Sequence, residues 1–336
     1  MVYWLVRLRR CDQPCYVECY GPRYVSRYVS RHLSRYVSRY VSRYGPCWWP
    51  CYCAWMSSPL SPPKQHATWK LVLAYDGTDF AGWQVQPGLA TVQGSLAAAV
   101  RSVTGENVLP QGAGRTDAGV HAEGQAVSLR LVSPIPEANL RRALNRVLPV
   151  SLRVLSAEVV HDDFHARARV ASKTYRYRIF PLRFIGSADE ALCDPRRARW
   201  VWQCSLPLQI EAMQAATVPL IGTHDFTSFA ANDPDRASRA LVNSSVDNVR
   251  TITRCEWSQT EQEMVFEVEG PGFLHHMVRN LVGTMVEIGS GRWTIERMGE
   301  ILKAQDRSAA GPTAPPEGLS LVRVVYRNVF DREEQG

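Results

Sequence analysis

The sequence predicts an α+β fold, and three observations carry that prediction. Residues 174–180 alternate apolar and polar side chains with a period of two, and 69–75 is a short apolar run ended by turn residues, both of which predict strands. Val92, Leu96, Val100 and Val103 recur three or four apart, which predicts an amphipathic helix. Strand-like and helix-like segments follow one another in both halves of the chain, so two related α+β layers are expected.

The elements are expected in this order. A strand at 69–75 is ended by the turn residues Asp76-Gly77-Thr78. A helix follows at 91–103. Strands at 108–111 and 126–132 flank a glycine-rich loop. The segment 137–147 is helical, with Leu140, Leu144 and Val147 apolar, and 152–160 is a strand. The second half has a strand at 174–180, a helix at 208–217, and strands at 249–258 and 264–270 around a polar turn. Helices at 274–288 and 294–303 and a strand at 319–326 complete it. The expected division is a leader and linker over 1–67, an N-terminal α+β domain over 68–168, a C-terminal α+β domain over 169–330, and a tail over 331–336.

Composition narrows the class. The chain has 336 residues, 45% hydrophobic and 21% charged, as in a soluble globular protein with a sizeable core. No run of 18 apolar residues exists, so no membrane helix is expected. The first ten residues lack the apolar core of a signal peptide. The net charge of +7 is misleading. Residues 1–67 hold ten Lys/Arg and two acids, which is +8, so the rest of the chain is −1. Clustering matters there, not total charge. No acid lies between Asp163 and Asp189, while Arg167, Arg169, Lys173, Arg176, Arg178 and Arg183 do, which makes this window a candidate phosphate surface.

The leader differs from the rest. From Arg23 to Tyr44 the unit RYVS recurs, with a period that fits neither strand, helix nor solenoid. Interleaved Arg and Tyr would suit an RNA-binding arm; the plainer expectation is a disordered or mistranslated extension, with Met56 a candidate start. Six of the nine cysteines lie at 11, 15, 19, 47, 51 and 53, in spacings unlike zinc motifs. Cys193, Cys204 and Cys255 are scattered, which fits a reducing cytoplasm.

The chemistry centres on Gly112-Ala-Gly-Arg-Thr-Asp-Ala-Gly-Val-His-Ala122. Asp117 sits among glycines, with Arg115 two residues before it. A carboxylate and a guanidinium on a tight loop suit a nucleophile beside an anionic substrate. By residue type alone, a plain turn with Asp117 capping a backbone N–H stays open.

GRTDAGVHA, preceded by YDGT and GWQ, resembles the tRNA pseudouridine synthase A family. Residues 173–178 (KTYRYR), 272–283 (GFLHHMVRNLVG) and 310–319 (AGPTAPPEGL) resemble it too, in family order, so the likeness covers about 69–326. His275 departs from the pattern, which more often has tyrosine there. The resemblance implies two ferredoxin- or RRM-like halves sharing a mainly antiparallel sheet, with helices packed on it and the active-site cleft between the halves. It implies isomerisation of uridine to pseudouridine in the anticodon stem-loop of tRNA, with no metal and no cofactor, by a homodimer. It implies Asp117 as nucleophile, Tyr175 against the target base, Arg115 holding the base flipped out, and Arg279 and Asn280 near the active site.

Three other classes compete. An aspartic-hydrolase dyad of Asp76 and Asp117 lacks the expected D-T/S-G at either position. A deaminase reading of His121-x-Glu123 lacks a following Pro-Cys-x-x-Cys. A pure RNA binder lacks the RNP1 pattern and has no use for an acid within GRTDAG.

Overall fold

The computed structural model describes residues 66–182, 191–231 and 248–327. The expectations for the leader, its repeat and its cysteines lie outside the described residues, as do Arg183 and the 331–336 tail. The described residues belong to one unit of the chain, Lys64–Gly336.

The fold is α+β, with a mixed, mostly antiparallel sheet and five α-helices among the described residues. Strands β1 (Ala67–Tyr75), β2 (Gln111–Gly112), β3 (His121–Leu131) and β4 (Leu152–Val160) come first, with helices α1 (Val92–Thr104) and α2 (Glu137–Val147). They are followed by β5 (Val170–Pro181), β6 (Trp202–Cys204), α3 (Ile210–Ala215), β7 (Gly222–Asp225), β8 (Val249–Ile252), β9 (Arg254–Gln259) and β10 (Met264–Gly270). Helices α4 (Met277–Gly289) and α5 (Arg297–Ala304) and strand β11 (Leu319–Tyr326) complete the described chain. The main sheet runs β4-β1-β3-β11-β5-β10-β9, with β2 beside β3 and β6 beside β5; β7 and β8 pair separately. The last strand therefore lies in the middle, parallel to β3 at Ser320 and Leu321 and antiparallel to β5.

Alternation explains the layering. On β1, Trp69, Leu71, Leu73 and Tyr75 are buried in the main core with Leu96 and Val100 of α1 and Leu140 and Leu144 of α2. On β5, Tyr175 and Tyr177 join the same core. The side chains between them point the other way and pair across strands. Lys70 meets Glu158 at 2.7 Å, Arg176 bridges Glu123 and Glu267, and Arg178 meets Glu263 at 2.7 Å. Thr91 caps α1 by accepting from Gly94 N–H, and Gly105 closes it in the left-handed region.

Several boundaries differ from the expected ones. β2 has only two residues, because Pro110 has no N–H for a ladder. β3 starts five residues early, since backbone pairing with β1 and β11 carries its polar start, His121 to Gln125. The strand expected at 249–258 breaks at Thr253, whose N–H turns to Glu269 O at 2.8 Å. α4 starts at Met277 rather than 274, because His276 has φ +57°. Val147 of α2 is 49% exposed and not part of the core.

Candidate active site

The glycine-rich loop is fixed from behind by the segment that follows β1. A Cβ on Gly77 would lie 2.0 Å from Val120 O. Gly82 has φ +94°, and a Cβ there would lie 2.8 Å from Thr116 O. Trp83 N–H donates to Thr116 O at 3.0 Å, and Gly119 N–H donates to Phe80 O at 3.2 Å. YDGT and GWQ are thus the backing of the loop that carries Asp117. In front, three successive carbonyls are held by side chains. Arg167 Nε donates to Gly112 O (3.2 Å), Lys173 Nζ to Ala113 O (2.7 Å) and Gln125 Nε2 to Gly114 O (2.8 Å). The buried hydroxyls of Tyr75 and Thr116 share a 2.8 Å bond.

Helix α4 supplies the opposite wall. It is buried along most of its length, which leaves Arg279 at the edge of a cavity. Arg279 Nε donates to Ala314 O at 2.7 Å, and Ala314 N–H donates back to Arg279 O at 3.1 Å. The anchored guanidinium then reaches Asp117, Nη1 to Oδ2, at 3.1 Å. His275 Nε2 lies 3.5 Å from Asp117 Oδ1, and His276 Nε2 lies 3.3 Å from Oδ2. Asp117 keeps 19% of its side chain exposed, so it is held yet accessible.

The cavity is about 790 Å³, a size that suits a nucleotide. Asp117 is the only acid lining it among the described residues, against Arg115, Arg167, Lys173, Arg250 and Arg279. Tyr175 lies on its floor, 8% exposed, with Phe273 edge-on at 5.2 Å. Burial pushes the Tyr175 phenol well above its ordinary pKa, so it stays protonated. Burial also lowers Lys173 to about 8, with help from Arg167. Desolvation lowers His276, and the Asp117 charge opposes that shift.

Of the residues singled out from sequence, Asp117, Arg115, Tyr175 and Arg279 all line this one cavity. Asn280 does not. It is fully buried, donating to Phe229 O at 2.8 Å and accepting from Thr313 Oγ1 at 2.7 Å and from Arg307 at 3.1 Å. The acid-free window divides in two: Lys173 on β5 and Arg167 on the turn before it line the cavity, while Arg176 and Arg178 on the other face of β5 pair with acids. His276 and Gln125 were given no role from sequence, and Arg167 and Lys173 only a place in the candidate phosphate surface. Their partners are a single carboxylate and three backbone carbonyls, and no residue pattern announces those.

The competing chemistries lose their geometry. Asp76 accepts from Thr78 and pairs with Arg199 at 3.1 Å, outside the cavity lining. His121 accepts from Gly77 N–H at 3.0 Å and Glu123 pairs with Arg176, both outside the cavity lining.

Comparison with known proteins agrees with the geometry. The sequence profile described as tRNA pseudouridine synthase matches residues 71–167 and 216–327. The chain belongs to the tRNA pseudouridine synthase family. Proteins called tRNA pseudouridine synthase A from Solibacter usitatus, Brevibacillus brevis and Moorella thermoacetica are similar to it. They are 44%, 43% and 44% identical over 257, 257 and 260 residues, covering 76% of this chain and 98% of each relative. As a synthase of this family, the protein is an isomerase, and no described helix is long and apolar enough to cross a membrane.

Proposed function

We propose that this pseudouridine synthase isomerises uridine to pseudouridine in the anticodon stem-loop of tRNA, at roughly positions 38 to 40, with Asp117 as nucleophile. The observation that carries the reading is the lone carboxylate in a cation-lined cavity, ion-paired to Arg279 and still open to the cavity.

The reaction breaks the N1–C1′ bond, turns the base and joins C5 to C1′. The C5 proton leaves to water and N1 gains a proton, so the sum is an isomerisation. Arg279 orients the carboxylate through a charge-assisted bond. The target base must leave its stack, at a cost of a few kcal/mol, and Arg115 at the cavity mouth supplies a cation to the displaced backbone. Tyr175 offers its ring to the base, and its hydroxyl, which stays protonated, assists removal of the C5 proton as a hydrogen-bond partner rather than as the base. Asn280 acts at one remove, by fastening α4 to residues 307–313 behind Arg279.

We further propose that 68–168 and 169–330 act as two lobes around the cavity, since both contribute lining residues. The protein works as a homodimer: β4 is an edge strand, and Leu155, Val159, Val147 and Val150 are exposed beside that edge. A reducing cytoplasm suits the free Cys193, Cys204 and Cys255.

The test uses tRNA tritiated at uridine C5, followed by release to water. Asp117→Ala is expected to abolish release while leaving tRNA binding within a few-fold. Pseudouridine formed by that variant would refute the nucleophile, and mapping the product on tRNA checks the position.

A further inference from the structure

We infer that Asp117, His275 and His276 form a binding site for a borderline divalent cation of the zinc type, and that the cation shuts the active site by occupying the carboxylate. Binding requires no assumption about the reaction; shutting the site rests on the Asp117 reading above.

The ligand set comes from two elements. Asp117 sits on the glycine-rich loop, and the two histidines immediately precede α4. One donor atom from each lies within 4.8 Å of the other two. Both Nε2 atoms face the same carboxylate, at 3.5 Å and 3.3 Å, from rings whose centroids are 4.0 Å apart and inclined by 31°. Donors of a tetrahedral zinc ion lie roughly 3.3 Å apart, for bonds of about 2.0–2.1 Å. Small side-chain rotations close that difference.

The backbone supports a functional reason for the arrangement. His276 has φ +57° and ψ 3°, a strained conformation for a non-glycine residue, and its side chain caps no helical N–H. The unusual angle turns its ring towards Asp117.

Arg279 is the feature that opposes a cation, and its anchoring limits the opposition. Its guanidinium is held by Ala314 O and meets Oδ2, which leaves Oδ1 towards His275. Two imidazoles, one carboxylate oxygen and an open fourth position suit zinc-type ions. Magnesium and calcium prefer all-oxygen sites and are not expected here. His275 decides the matter. A tyrosine there, the usual residue in the resemblance noted from sequence, would leave only two of the three ligands.

The test uses the full chain, stripped with chelator and titrated with cobalt(II) as a spectroscopic substitute, then with zinc. One equivalent of cobalt should give a visible d–d band without thiolate charge transfer, and zinc should remove it. The absence of charge transfer separates this site from the nine cysteines of the chain. The band should vanish in both His275→Tyr and Asp117→Asn. Zinc should lower kcat in tritium release and leave tRNA binding within a few-fold, as Asp117→Ala does. In His275→Tyr, compared with its own activity in chelator, half-inhibition should need at least about tenfold more zinc. A band that survives both substitutions, a band with thiolate character alone, or equal inhibition of parent and variant would overturn the inference. Absence of turnover even in chelator would count against the proposed function, and the band alone would then decide the site.

Discussion

Lys173→Met should make the protein more stable at neutral pH while making it a poorer enzyme. The amine of Lys173 sits at the cavity with its Nζ on Ala113 O, and its pKa falls from 10.5 to about 8, first through burial and then through Arg167. Between those two values the unfolded chain binds more protons than the fold, so stability rises with pH across that window. The shift costs about 3 kcal/mol at pH 7, where the fold must hold a charged amine, and about 1.5 kcal/mol at pH 9.5. Methionine escapes that cost but forfeits the bond to Ala113 O, worth about 1–2 kcal/mol. The variant should therefore be about 1–2 kcal/mol more stable at pH 7 and near parity at pH 9.5. Urea midpoints of parent and variant at both pH values give the double difference, expected at about 2 kcal/mol, in which other titrating groups cancel. Tritium release should fall at least about tenfold, because a carbonyl of the Asp117 loop is no longer held. A variant less stable than the parent at pH 7, or a difference that does not change with pH, would refute the reasoning.

Three further outcomes follow from the same geometry. Gly82→Ala places a Cβ 2.8 Å from Thr116 O at φ +94°; kcat should drop more than about tenfold while tRNA affinity, measured by filter binding, stays within a few-fold. Tyr75→Phe strands the Thr116 hydroxyl in the core and should cost about 1–2 kcal/mol in urea unfolding, with a loss of turnover. Arg167→Ala should weaken tRNA binding and flatten its salt dependence, whereas Arg178→Ala, on the opposite face and paired with Glu263, should leave both unchanged by titration at two salt concentrations.

Elements with one clean period were legible in the sequence. β1, α2, β10 and β11 fall where alternation or a helical stripe places them, because one side faces a core and the other faces water. Boundaries set by backbone pairing were not. The polar start of β3 is a strand because β1 and β11 flank it, and α4 begins late because His276 adopts a left-handed turn. At the site, motif resemblance brought together Asp117, Arg115, Tyr175 and Arg279, which line one cavity. It also put Asn280 near them; a neighbour of Arg279 on a helix points about 100° away, and for Asn280 that direction is the core. Gln125 escaped notice, and Lys173 was read only as a phosphate contact, because both hold main-chain oxygens. Such partners leave no trace in residue identity.

The central position of β11 has a consequence for truncated chains. Asp117 precedes β3, Tyr175 lies on β5, and the strand between those two is the last described one in chain order. The stretch just before it supplies Ala314, which grips both ends of Arg279, and Pro315 O, which takes the Tyr177 hydroxyl at 2.7 Å. A chain cut before residue 319 would keep the Asp117 loop and Tyr175 but lose the strand that joins β3 to β5, so the two are not expected to assemble into one cavity.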